Sequence, residues 1–165
     1  MMISKKMEKA LNAQINMELE AFYIYKQMSY VLQEMGLPVF GGFFADQAAE
    51  EQGHANKFAN YILDQGGKVT LQPLKAPKAA YKTVEEICGD FVDHEVQVTK
   101  AINKLVELAR SENDIAAEVM LNWFVSEQVE EVASANEMLD MVSKAKTEGQ
   151  LLMLEGRVAR MRGEG

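Results

Sequence analysis

A single cysteine, Cys88, excludes an intrachain disulfide and fits a reducing compartment. Only three prolines occur, Pro38, Pro73 and Pro77, and all fall outside the long periodic stretches, so little interrupts an all-helical chain. No run of about 18 apolar residues exists, which excludes a transmembrane helix. Residues 1–14 hold no apolar stretch of the signal-peptide kind and already pattern as an amphipathic helix, so a cytoplasmic location is expected. Basic residues are also short: 17 Lys and Arg face 25 Asp and Glu, for a net charge of −8. That balance argues against a nucleic-acid or anionic-membrane partner.

What is present is apolar content of 48% over 165 residues, enough for one globular domain spanning the chain. The apolar positions recur at 4-3 spacing in four long stretches. The first predicted helix spans 5–34, with Ser4 as its N-cap. Gly36 and Pro38 mark a tight turn. The second helix spans about 39–65 and stops at Gly66-Gly67, where glycine suits the left-handed position past a helix end. Residues 66–82 carry two prolines and no helical period. The third helix opens on the capping box Thr83-Val84-Glu85-Glu86 and reaches about 110. The fourth spans about 115–145. Thr147 to Gln150 forms a second capping box, opening a short fifth helix at about 148–161, weakened by Gly156. The run Leu151-Leu152-Met153-Leu154 on it calls for burial, against other subunits if not its own.

Connection length then fixes topology. Short turns make the first and second, and the third and fourth, helices antiparallel pairs. The long connection, extended, spans roughly 55 Å against roughly 40 Å for a 27-residue helix, so it can cross the bundle and leave the middle helices parallel. The expected fold is an all-α four-helix bundle, about 4–145, with one long crossover and a short fifth helix, the connectivity of ferritin-like folds.

Each stripe is interrupted near its middle. Glu18 breaks Met7, Leu11, Ile15, Phe22, Tyr25, Ser29 and Leu32. Glu51 and His54 break Phe40, Phe44, Gln47, Phe58 and Tyr61. Glu95 breaks Val84, Cys88, Phe91, Val98, Ile102 and Leu105. Glu131, with Gln128 one turn earlier, breaks Leu121, Phe124, Ala135, Met138 and Val142. Helix midpoints coincide whichever way each helix runs, so the four carboxylates should meet at one level. Four buried carboxylates without a cation would cost many kcal/mol, and no Lys or Arg lies on the stripes. Two divalent metals would balance them. The expected ligands are Glu18, Glu51 and His54 for one metal and Glu51, Glu95 and Glu131 for the other, with Glu51 shared. Mixed oxygen and nitrogen donors suit iron. Tyr25, two turns after Glu18, is placed to hydrogen-bond a ligand or donate an electron.

Glu50, Glu127 and Glu130 flank the stripes. They read either as a solvated acidic face or as a third-metal or transfer site, and the residues alone leave both open. Removing these three and the four stripe glutamates leaves eighteen acidic residues against seventeen basic ones, so nearly all the charge excess is assigned to one place. His94, one residue off its stripe, reads as a surface or interface histidine. Gly53, inside the second helix, costs up to about 1 kcal/mol relative to Ala and suggests close helix approach.

At these residues the chain resembles the non-haem ferritins of bacteria and archaea. The resemblance rests on Asn16-Met17-Glu18-Leu19-Glu20 with Tyr25, Glu50-Glu51-Gln52-Gly53-His54, His94-Glu95, and Trp123 through Glu131. It implies a ferroxidase centre of Glu18, Glu51, His54, Glu95 and Glu131, with Gln128 and Tyr25 nearby, and a third iron site from Glu50, Glu127 and Glu130. It further implies oxidation of iron(II) with dioxygen or peroxide, two irons per subunit, no haem, and storage of iron(III) mineral in a homo-oligomeric shell, usually of twenty-four subunits. Bacterioferritins and rubrerythrins would show a second ExxH on the fourth helix, where this chain has Glu127-Gln128-Val129-Glu130. The alternatives are a non-enzymatic metal buffer or scaffold and, more weakly, a di-iron oxidase of an organic substrate.

Overall fold

The computed structural model describes residues 3–161. Five helices follow one another: α1 (Lys5–Glu34), α2 (Pro38–Asp64), α3 (Val84–Ser111), α4 (Ile115–Lys144) and α5 (Glu148–Met161). The expected tail residues Gly163 to Gly165 lie outside the described residues. Ser4 caps α1 by accepting from the Met7 N–H at 2.9 Å. Gly36 and Gly66 take positive φ past the ends of α1 and α2, where a side chain would be strained. Both capping boxes form, displaced by one residue. The Glu86 carboxylate accepts from the Lys82 N–H and the Gln150 amide oxygen from the Lys146 N–H, rather than from the cap residues themselves.

Two apolar clusters give the helix directions. One unites the second half of α1, the first halves of α2 and α3, the second half of α4 and part of α5. The other unites the first half of α1, the second halves of α2 and α3, and the first half of α4. So α2 and α3 run one way, and α1 and α4 the other. The connection between α2 and α3 accomplishes this lengthwise. Its start is pinned to the beginning of α1, where Asn12 accepts from the Thr70 N–H and Glu8 from the Lys68 N–H. Its end is pinned to the beginning of α3, where Lys78 pairs with Glu86 and Asp90. The bundle with one crossover is the architecture expected.

The fifth helix closes one end. Leu37, before α2, provides no side-chain cap. Instead Glu155 of α5 accepts from the Val39 N–H at 2.7 Å and more weakly from that of Phe40, placing a carboxylate on the positive end of α2. Val158 is buried, and Leu151 and Leu154 pack on the core, while Leu152 and Met153 stay exposed on the single chain. The apolar run is therefore split, half of it held by its own bundle. Gly53 needs correction: a Cβ there would meet nothing within 4 Å. The close approach is at Gly41, whose Cβ would fall 2.8 Å from Gln33 Cγ and 2.9 Å from the Ser29 carbonyl. Among the described residues no helix is long and apolar enough to cross a membrane.

Candidate metal centre

Between the two apolar clusters lies a layer of buried polar side chains: Gln14, Glu18, Gln47, Glu51, His54, Glu95, Gln128 and Glu131. Glu18, Glu51, His54, Glu95, Gln128 and Glu131 come from near the middle of their helices and interrupt the apolar stripes, while Gln14 and Gln47 lie one turn away. The layer is thus where four regular helices carry the wrong chemistry for a core. Glu95 is fully buried, Glu18 is 1% exposed and Glu51 2%.

Donor atoms of Glu18, Glu51 and His54 lie within 4.8 Å of one another, all buried. His54 Nδ1 is 3.2 Å from Glu51 Oε2, the i,i+3 contact that one helix face allows. A second trio is His54, Glu127 and Glu131, with His54 Nε2 3.9 Å from Glu127. His54 therefore stands between the two groups, with one ring nitrogen toward each. The side chain of Glu95 belongs to neither trio. It accepts a hydrogen bond from the Tyr25 hydroxyl and another from Gln128 Nε2 at 3.1 Å. Glu50 and Glu130 are exposed and Glu127 is half-buried, at the edge of the layer.

Burial and mutual repulsion disfavour charge on the carboxyls of the layer. Burial, then the neighbouring Glu51, pushes the Glu18 carboxyl well above its ordinary range. Burial, then Glu95 and Glu131, does the same to Glu51. Burial raises Glu95, offset by the Tyr25 and Gln128 hydrogen bonds. Glu131 is pushed up to about 9, by burial and then by Glu95. Burial also raises Glu50 and the Tyr25 phenol. Among the described residues no Lys or Arg pairs with the four stripe carboxylates. Glu18 Oε2 is buried with no hydrogen-bond donor facing it. An orphaned carboxyl oxygen among oxygen and imidazole donors fits a divalent cation, which would displace the proton.

Several residues around the layer were not singled out in the sequence. Gln14 Nε2 donates to Glu18 Oε1 at 2.7 Å. It sits four residues earlier on the same face, so helical spacing alone could have found it. Thr99 donates to the Glu95 carbonyl and accepts from Gln128 at 3.3 Å. Lys57 lies 2.9 Å from the centroid of the Trp123 ring, which in turn meets His54 edge-on. His94 corrects the surface reading. It is half-buried, its Nε2 shielded and unpartnered, its ring edge-on to Tyr25, and burial lowers its pKa.

With that geometry in hand, three comparisons bear on kinship. The family model described as "Ferritin-like domain" matches residues 8–145. A "Bacterial non-heme ferritin" of Staphylococcus epidermidis is 36% identical over 143 residues, covering 87% of this chain and 86% of the relative. One of Bacteroides fragilis is 34% identical over 148 residues, covering 90% and 93%. Among solved structures, an open pore ferritin from the hyperthermophilic archaeon Archaeoglobus fulgidus superposes with a TM-score of 0.92 at 35% identity, covering 95% of this chain and 96% of its own.

Proposed function

The chain belongs to the ferritin family, and from that premise we propose that it oxidises iron(II) at the carboxylate layer and stores the product as ferric mineral inside a shell of identical subunits. The observation that carries this reading is the Glu18–Glu51–His54 trio, buried without a compensating Lys or Arg. Iron(II) is the substrate, and no haem is involved. Glu18, Glu51 and His54 hold one iron(II), while Glu51, Glu95 and Glu131 hold the second, with Glu51 shared. Tyr25 and Gln128 keep the Glu95 carboxylate in place. Each iron(II) gives up one electron, and dioxygen takes two electrons and two protons to leave as hydrogen peroxide. Protons released by the carboxyls as metal binds are on hand for that reduction. Glu50, Glu127 and Glu130 form a third site and pass iron(III) onward to the mineral. The shell has twenty-four subunits, as the family resemblance implies, and works in the cytoplasm.

The test is stopped-flow absorbance after mixing metal-free protein with two iron(II) per chain in aerated buffer. A fast transient followed by a stable iron(III) band, with dioxygen consumed, is the expected result. Oxidation no faster than in protein-free buffer would replace this reading with that of a non-enzymatic metal buffer, since zinc would bind the same donors well.

A further inference from the structure

Two faces of the bundle approach the carboxylate layer, and they differ in chemistry. On one, Glu50, Glu127 and Glu130 bring negative charge from the solvent to His54 and Glu131. On the other, between α3 and α4, lies a groove of about 400 Å³. Its walls are Ile102, Val125, Val129 and Val132 with the exposed Asn103 beside them, its floor is Thr99 and Gln128, and no charged side chain lines it. Val129 is 68% exposed, whereas Gln128, next to it on the helix, is 4% exposed. The groove therefore runs from solvent down to the buried amide of Gln128, which is bonded to Glu95.

The amide donor is spread over three acceptors rather than fixed on one. Its Nε2 is shared among Glu95 Oε2 at 3.1 Å, the Glu95 carbonyl at 3.3 Å and Thr99 Oγ1 at 3.3 Å, all at the long end of the hydrogen-bond range. The Glu95 carbonyl also accepts from Thr99 at 2.8 Å, so its pairing does not depend on Gln128. A cation taking this route would lose hydration with no charge on the groove walls to replace it. Dioxygen, small and uncharged, pays no such penalty.

Resting on the ferroxidase reading, we infer that the α3–α4 groove is the way in for dioxygen and that Gln128 is its gate. Iron(II) and oxidant then reach the layer from different sides, and neither has to pass the other. Gln128 is a positioning residue for Glu95 and, on this inference, a gating residue as well.

The test fills the groove with the double substitution Val125→Phe and Val129→Phe. The protein is loaded anaerobically with two iron(II) per chain, and the oxidation rate is followed against dioxygen concentration. The expected result is a fall of at least about tenfold in the second-order constant for dioxygen. Cobalt(II) binding, titrated by its visible absorbance, should match the wild type in stoichiometry and affinity. Crystals of the metal-free protein under xenon should show the gas in the wild-type groove and not in the filled one. A double variant that no longer binds cobalt(II) normally is replaced by Val129→Phe alone, at a largely exposed position, with the same expectation. A fast wild type with an equally fast filled variant would overturn the inference by itself. A wild type that fails to oxidise iron(II) would overturn the ferroxidase reading and the inference together.

Discussion

The two apolar half-cores and the polar layer between them are built on the same helices, at the same 4-3 spacing and at the same depth. They differ only in what fills the inward positions. In the half-cores, Leu121, Phe58 and Met138 bury fully and need nothing further. In the layer, Glu18, Glu51, Glu95 and Glu131 bury almost as completely and are left with raised pKa values and an orphaned oxygen. Burial thus stabilises the fold above and below the layer and destabilises the metal-free protein within it. A stretch of core that costs stability is the mark of a function held there at the expense of packing.

The strongest way to break this contrast is to truncate one member of each region. Glu51→Ala should slow fast iron(II) oxidation by about 100-fold or more, because it removes the ligand proposed to serve both irons. Leu121→Ala should cost about 2–5 kcal/mol of stability and leave iron(II) oxidation by the folded protein near wild type. Stopped-flow rates and urea midpoints on both variants check the pair. A Glu51→Ala protein with wild-type oxidation would dissolve the distinction.

A second prediction sharpens it through pH. Burial holds Glu131 at about 9 against an ordinary 4.5, and Glu18, Glu51 and Glu95 are raised as well. Between those values the folded metal-free protein keeps protons that the unfolded chain has released. The contribution of these groups to stability is therefore fully present below about 4.5 and is lost as pH rises through that window. Metal replaces the protons and should flatten the slope. Urea midpoints of the metal-free protein should be lower at about pH 8.5 than at about pH 6, with zinc abolishing most of the difference. A metal-free protein more stable at the higher pH would contradict the assigned electrostatics.

How much of this was legible in the sequence follows from the same contrast. Helix ends announced themselves through Ser4, Gly36, Gly66 and Thr83, because caps and turns are local. The level of the layer was legible because midpoints of long helices coincide in a bundle. The apolar stripe of α1 was read too narrowly: Gln14, Ala21 and Met28 are buried, while Phe22 is only half-buried. Hidden altogether were contacts made between elements. Glu155 capping α2, Thr99 latching Gln128, and His94 turned in against Tyr25 depend on side-chain directions that only packing decides. The grouping of His54 with Glu127 and Glu131 is of this kind too.

The smallest expected effect lies at Gly53, in the second helix beside His54. A Cβ there meets nothing, so Gly53→Ala should stabilise the metal-free protein by up to about 1 kcal/mol through the unfolded state, without changing iron oxidation. A destabilised variant would show that this position is covered in the assembled protein.

The central claim is that the polar layer is a two-iron site. Crystals of the metal-free protein soaked anaerobically in iron(II), with anomalous scattering recorded at the iron edge, test it most directly. Two peaks per chain inside the layer are predicted, one within bonding distance of Glu18, Glu51 and His54 and the other beside Glu131. An empty layer, with iron only on exposed carboxylates, would contradict it.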